Sequence, residues 1–186
     1  MSGFARSLAS VAAALERSGF EYAVIGGIAN LVWGETRGTR DLDFSIDISG
    51  STSRGLQDLI DELGEALIPD ALTFAERSRV LPVRLKDGTM ADLLLATLPF
   101  EIDAIGRAVT VPFEGIKIRV VRPEDFIIYK SISTRPRDLL DIVGVLQRQD
   151  DLDVEGLEKD IQAWSIALED ETVMVRWHEA RKEAGR

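Results

Sequence analysis

Residues 38–47 read GTRDLDFSID, and in them Asp41, Asp43 and Asp47 interleave with Leu42, Phe44 and Ile46. Strict alternation of this kind predicts a β-strand with one buried face. The apolar set packs on a core, while Asp41, Asp43, Ser45 and Asp47 share the opposite face. Like charges on neighbouring same-face positions repel, so such a strand needs screening water or a cation between its carboxylates. Same-face residues two apart are separated by about 6.6 Å along a strand. That spacing lets Asp41 and Asp43 share one Mg²⁺ or Mn²⁺, or bracket two ions about 3.5–4 Å apart. Asp47 lies about 13 Å from Asp43 by the same rise and reads as a solvated strand-end carboxylate. An EF-hand counted from Asp41 fails, because Ile46 and Thr52 stand where Gly and Glu are required.

Two further features bear on the same chemistry. Gly26-Gly27 closes the apolar run FEYAVI and opens a helix. Glycines at a strand-to-helix turn allow close approach of a phosphate, and a helix N-terminus offers N–H donors; a tight turn explains such a pair more often than ligand binding does. Neither G-x-G-x-x-G nor G-x-x-x-x-G-K-[ST] occurs, which removes the dinucleotide and P-loop readings. Asp92 interrupts the apolar stretch MADLLLATL. A carboxylate buried there needs either an arginine partner or a metal ion.

Composition narrows the classes. The 186 residues are 45% apolar and 29% charged, enough for one substantial domain with a soluble surface. No stretch reaches the roughly 18 apolar residues of a membrane span. The first twenty residues read as an amphipathic helix rather than a signal peptide, which predicts a cytoplasmic protein without a membrane partner. There is no cysteine, so disulfides, thiolate metal sites and thiol nucleophiles are excluded. The lone His178 falls on a charged C-terminal helix and is expected at the surface. A net charge of −10 argues against a general nucleic-acid binder. The basic residues Arg37, Arg40, Lys130, Arg135 and Arg137 suit a metal–nucleotide complex better than a long duplex.

The elements that must position these residues follow from periodicity and turn chemistry. A helix over 4–18 stopped by Gly19, a strand to Gly26, a helix to Gly34, a loop and the acidic strand come first. The stretch STSRGLQDLIDELGEAL carries helical periodicity after an N-cap hydroxyl. Two strands flank the Asp87-Gly88 turn, a helix begins at Pro99, and two short strands follow. Helices are expected over 123–133, 136–149, 153–168 and 171–184. The predicted fold is α/β (α+β): a mixed sheet flanked by helices over 1–121, then a helical C-terminal subdomain over 122–186.

Ile25-Gly26-Gly27, a spacer of thirteen residues, Asp41-Leu42-Asp43-Phe44 and the later Asp92 together resemble the nucleotidyltransferase superfamily signature hG[GS]…Dh[DE]h with a third acidic residue. GGIANLVWGETRGTRDLDF and RPEDFIIYKSISTRPRDLLDI are similar to the bacterial abortive-infection type, which includes toxins of toxin–antitoxin pairs. The resemblance spans residues 20 to about 145. It implies transfer of a nucleoside monophosphate from a nucleoside triphosphate to an acceptor, with Asp41, Asp43 and Asp92 holding Mg²⁺ or Mn²⁺ and Asp92 assisting deprotonation. It further implies nucleotide contacts from Gly26, Gly27, Arg40, Lys130 and Arg137. A tRNA 3′ end or a protein is the expected acceptor, and a cognate antitoxin the expected partner. Two alternatives stand beside it: a degenerate nucleotide- or protein-binding member, and an enzyme acting on a small aminoglycoside-like cation. Many members carry Ser where this chain has Gly27, so a hydroxyl contact to phosphate is missing from the turn. For Arg135, Arg137, Asp138 and Asp141 a structural salt-bridge network is the competing reading.

Overall fold

Leu42, Phe44 and Ile46 are fully buried along β2 (Asp41–Asp47), as one face of an alternating strand requires. The computed structural model in which this is seen describes residues 2–35, 38–39, 41–133 and 135–186. The chain divides into two compact units, Met1–Ile28 with Gly38–Val121, and Ala29–Arg37 with Arg122–Arg186.

In the first unit, a seven-stranded mixed sheet forms among the described residues. Its strands are β1 (Tyr22–Val24), β2, β3 (Gly64–Ala66), β4 (Val80–Leu85), β5 (Met90–Ala96), β6 (Val109–Phe113) and β7 (Ile116–Val120). Their spatial order is β3-β4-β5-β2-β1-β7-β6. β2 pairs parallel to β5 and antiparallel to β1, so the acidic strand lies in the interior of the sheet. β1 in turn pairs parallel to β7.

Helix α1 (Gly3–Arg17) begins where Ser2 accepts a hydrogen bond from the Ala5 amide at 3.1 Å. Leu8, Val11 and Leu15 recur at helical spacing and are completely buried, each worth about 1.5–3 kcal/mol of apolar transfer. The Tyr22 hydroxyl donates to Glu16 at 3.0 Å, and its ring meets Phe44 at 5.9 Å between centroids, tying α1 to β1 and β2. Helix α5 (Pro99–Gly106) is started by Glu101, whose buried carboxylate accepts the amides of Thr97 and Leu98 at 3.0 and 3.1 Å. Arg79 pairs with the same carboxylate at 2.9 Å.

One stretch departs from expectation. The helix expected to run through 51–67 stops at Leu63 as α3 (Ser53–Leu63), and Gly64–Ala66 instead forms β3 against β4. A Cβ on Gly64 would lie 2.1 Å from the Arg84 carbonyl oxygen, so this close strand contact admits only glycine. Helix α4 (Ala71–Ser78) then follows where no element was expected. Only Ala71 and Ala75 are buried along it, too few apolar residues to mark a period.

In the second unit, α6 (Pro123–Ile132), α7 (Pro136–Arg148), α8 (Val154–Ala167) and α9 (Thr172–Ala184) pack around the wholly buried Trp177. Proline stands in the first turn of both α6 and α7, where a missing N–H costs nothing. Helix α2 (Gly26–Trp33) contributes Ala29–Trp33 to this unit. Its last carbonyls are satisfied from α7 and the residue after it: Arg148 donates to Gly34 O at 3.0 Å and Gln149 to Trp33 O at 2.8 Å. His178 is exposed on α9. Among the described residues no helix is long and apolar enough to cross a membrane.

Candidate active site

The acidic cluster is assembled by strand register. In the parallel pairing of β2 with β5, Asp43 stands opposite Asp92, and Asp41 opposite Met90. Neighbouring strands run about 4.8 Å apart, and residues opposite one another project from the same face. Asp41, Asp43 and Asp92 therefore share one face of two adjacent strands. The Asp92 carboxyl is pushed above the usual carboxylate range, first by desolvation and then by the negative charge of Asp41. Asp92 is exposed rather than buried as its apolar neighbours suggest, because it stands on the opposite face of β5 from Ala91 and Leu93, and its desolvation is partial.

The glycine turn is fastened to this cluster. Ile25 N–H donates to the Asp43 carbonyl at 2.9 Å, and Gly27 N–H donates to the Asp43 carboxylate at 3.1 Å. Gly26 has φ +60°, and a Cβ there would fall 2.0 Å from Asp43 Oδ2. Both the left-handed backbone and the proximity of the carboxylate exclude any larger residue. Gly27 is constrained differently. A Cβ on it would lie 2.4 Å from the Thr39 hydroxyl oxygen, and the position of Thr39 is thus what keeps residue 27 small. Thr39 was not singled out from the sequence; its place beside Gly27 is set by tertiary packing, which no local pattern announces.

The donors are carboxylate oxygens alone, which suits a hard divalent cation. Desolvation first and the Asp41 charge second raise the Asp92 carboxyl, and a bound cation would offset the second of these. Among the described residues no three His, Cys, Asp or Glu side chains converge on one point, and the Asp43 carboxylate accepts from the Gly27 amide. Asp47 accepts from the backbone and hydroxyl of Ser49 instead and serves its own strand end.

A cavity of about 840 Å³ opens beside Asp41. Phe4 and Arg6 of α1, Thr39, Asp87 of the β4–β5 turn and Met90 contribute to its wall. Its volume falls within the range of small-molecule sites. Hydrogen bonds from Ser7 and Thr89 hold the Asp87 carboxyl below its usual value.

The remaining predicted contacts fall elsewhere. Arg40 lies outside the described residues, as does Arg37. Lys130 and Arg137 belong to the helical unit. Arg137 is exposed, whereas Lys130 is buried with its ammonium 2.5 Å from Asp138 and 2.8 Å from Asp141. Arg135 also pairs with Asp138, at 3.0 Å. The network takes in Arg135, Asp138 and Asp141 of the salt-bridge reading but is centred on Lys130, which the sequence resemblance assigns to the nucleotide. Two of the three Lys130 N–H donors are committed to it.

Two solved structures share the fold. One is the lincosamide antibiotic adenylyltransferase LnuA, determined with lincomycin bound: TM-score 0.54, 16% identity, 77% of this chain and 97% of that one covered. The other is the antibiotic-resistance factor ANT(2'')-Ia, with TM-score 0.50, 16% identity, and coverage of 97% and 92% respectively. No curated protein matches the chain by sequence. The family described as "Nucleotidyltransferase of unknown function (DUF6036)" matches residues 6–184, nearly the whole length, and the chain belongs to that nucleotidyltransferase family.

Proposed function

We propose that the chain transfers a nucleoside monophosphate from a nucleoside triphosphate to an acceptor hydroxyl, with Asp41, Asp43 and Asp92 holding Mg²⁺ or Mn²⁺. The observation that carries this reading is the β2–β5 register, which sets Asp43 opposite Asp92 beside the Gly26-Gly27 turn. When bound, the cation neutralises triphosphate charge and acidifies the acceptor hydroxyl. Asp92, with its raised pKa, takes the proton of the acceptor. The acceptor oxygen then bonds to the α-phosphorus, the bond to the bridging oxygen breaks, and pyrophosphate leaves. Gly26 and Gly27 keep the start of α2 bare of side chains, so a phosphate can approach its first amides. Arg40, Arg137 and Lys130 are the proposed cationic contacts to the nucleotide, Lys130 having one N–H donor beyond those its two carboxylate partners take.

For the acceptor, the cavity beside Asp41 favours a small hydroxyl-bearing molecule. Among the described residues of its wall, Asp41 and Asp87 against the single Arg6 leave an excess of negative charge that suits a cationic one. The rival reading, a toxin that modifies a tRNA 3′ end or a protein and is restrained by an antitoxin, rests on the resemblance of residues 20–145. Calorimetric titration of Mg-ATP and Mg-CTP onto wild type and Asp43→Asn tests the nucleotide site. Tight binding by wild type with at least tenfold loss in the variant is expected, and equal binding by both would defeat the metal role. Pyrophosphate release with labelled triphosphate and pools of tRNA, protein or aminoglycosides then separates the acceptors. Binding without any release identifies a degenerate member.

A further inference from the structure

We infer that the Thr39 hydroxyl is a phosphate contact of the nucleotide site, supplying from the loop before β2 the hydroxyl that the Gly26-Gly27 turn lacks. The inference rests on the nucleotidyl-transfer reading and adds a residue to it. Three observations carry it.

The first is occupancy. A Cβ on Gly27 would sit 2.4 Å from Thr39 Oγ1 and 2.8 Å from Thr39 Cβ, both closer than non-bonded atoms come. Thr39 Oγ1 therefore occupies space beside the position a side chain on residue 27 would take. Unlike Gly26, Gly27 has no positive φ, so its backbone would accept a side chain. Among the described residues, the three atoms nearest to such a side chain all belong to Thr39. The pair reads as an exchange, with the small residue at 27 making room for a hydroxyl delivered from 39.

The second is direction. Thr39 precedes Asp41 by two residues, and its hydroxyl donates to the Asp41 carbonyl at a long 3.2 Å. A bond of that length is readily exchanged for a stronger one to an anionic oxygen. The third is access. Thr39 lines the same cavity as Asp41, so a ligand held at the Asp41 carboxylate comes within its neighbourhood. The start of α2, with its N–H groups, lies on the other side of Thr39 through Gly27.

The test compares four proteins by calorimetry with each of the four Mg-nucleoside triphosphates, and by steady-state pyrophosphate release. They are wild type, Thr39→Val, Thr39→Ser and the double variant Gly27→Ser/Thr39→Gly, all first checked for fold by circular dichroism and thermal melting. Valine keeps the shape and removes the hydroxyl, and about a tenfold or larger rise in Kd and KM is expected, with kcat less affected. Thr39→Ser is expected within about threefold of wild type. In the double variant the hydroxyl moves to residue 27 and the obstruction is gone, so affinity is expected to recover most of the loss. Equal affinity of Thr39→Val and wild type would overturn the inference while leaving the nucleotidyl-transfer reading intact. Equal losses in Thr39→Val and Thr39→Ser, unrelieved by the double variant, would also overturn it and make Thr39 a loop-shaping residue. Failure of wild type to take up any of the four triphosphates defeats the transfer reading, and the inference falls with it.

Discussion

The Gly27 amide donates to the Asp43 carboxylate at 3.1 Å, so the two motifs most distant in chemical type are one structural unit. The carboxylate caps the first turn of α2, where a negative charge is favoured by the helix dipole. It also belongs to β2, opposite Asp92. Asp43 is thereby oriented by the start of α2, and a change in either motif is felt by the other.

Gly26→Ala is expected to inactivate the protein and to destabilise it. Alanine at φ +60° costs about 1–2 kcal/mol in backbone strain alone. Its methyl would also meet Asp43 Oδ2 at 2.0 Å, displacing the carboxylate. Urea unfolding should show a loss beyond the strain figure, and Mg-ATP titration should show loss of binding. Wild-type affinity in this variant would mean that the carboxylate moves aside without consequence.

Asp43→Asn separates the two roles of that residue. An amide oxygen can still accept from Gly27, so stability should fall by less than about 1 kcal/mol. The charge that a cation requires is gone, and several kcal/mol of transition-state stabilisation corresponds to a loss of about 100-fold or more in kcat. Asp43→Ala should lose both, which thermal melting of the two variants side by side will show.

Much of this site was legible in the sequence because alternation is a physical rule about faces. Asp41 and Asp43 had to share a side of a strand, and a lone Asp92 in an apolar run had to be compensated. The antiparallel pairing around Asp87-Gly88 and the proline-started helices were equally readable, since those residue types act locally. Register was not. That Asp43 meets Asp92 rather than Leu94 depends on how two strands far apart in sequence settle against each other. Thr39 was missed for the same reason, because its importance lies in the space beside Gly27. β3 was hidden by the apolar period of α3, which runs on past Leu63 until the approach of Arg84 imposes glycine at 64.

Lys130→Ala should unfold the protein more than it weakens any ligand. Asp138 and Asp141 are 2% and 3% exposed, and removing the ammonium leaves two buried carboxylates facing each other. Breaking such a pair costs about 3–5 kcal/mol. The triple change Lys130→Met, Asp138→Asn, Asp141→Asn removes the charges together and should recover most of that loss. Urea midpoints of the two variants decide it. A stable Lys130→Ala protein with weakened triphosphate binding would return Lys130 to the nucleotide site.

The same network makes a signed prediction for acid. Burial alone would raise the Asp138 carboxyl, but hydrogen bonds from Lys130 and Ser133 and the charges of Lys130 and Arg135 outweigh it and hold the group below its ordinary 3.8. A carboxyl depressed in the folded state binds fewer protons there than when unfolded. Its stabilising contribution is therefore complete above the ordinary value and drains away as pH falls from there through the folded value. Wild type should lose stability steeply between about pH 5 and pH 2, and Asp138→Asn should start lower at pH 6 but fall less across that window. The two curves should converge at the acid end, where Asp138 is protonated in both states. Urea titrations at half-unit pH steps will show this convergence, and parallel curves would mean that Asp138 does not draw its stability from ionisation.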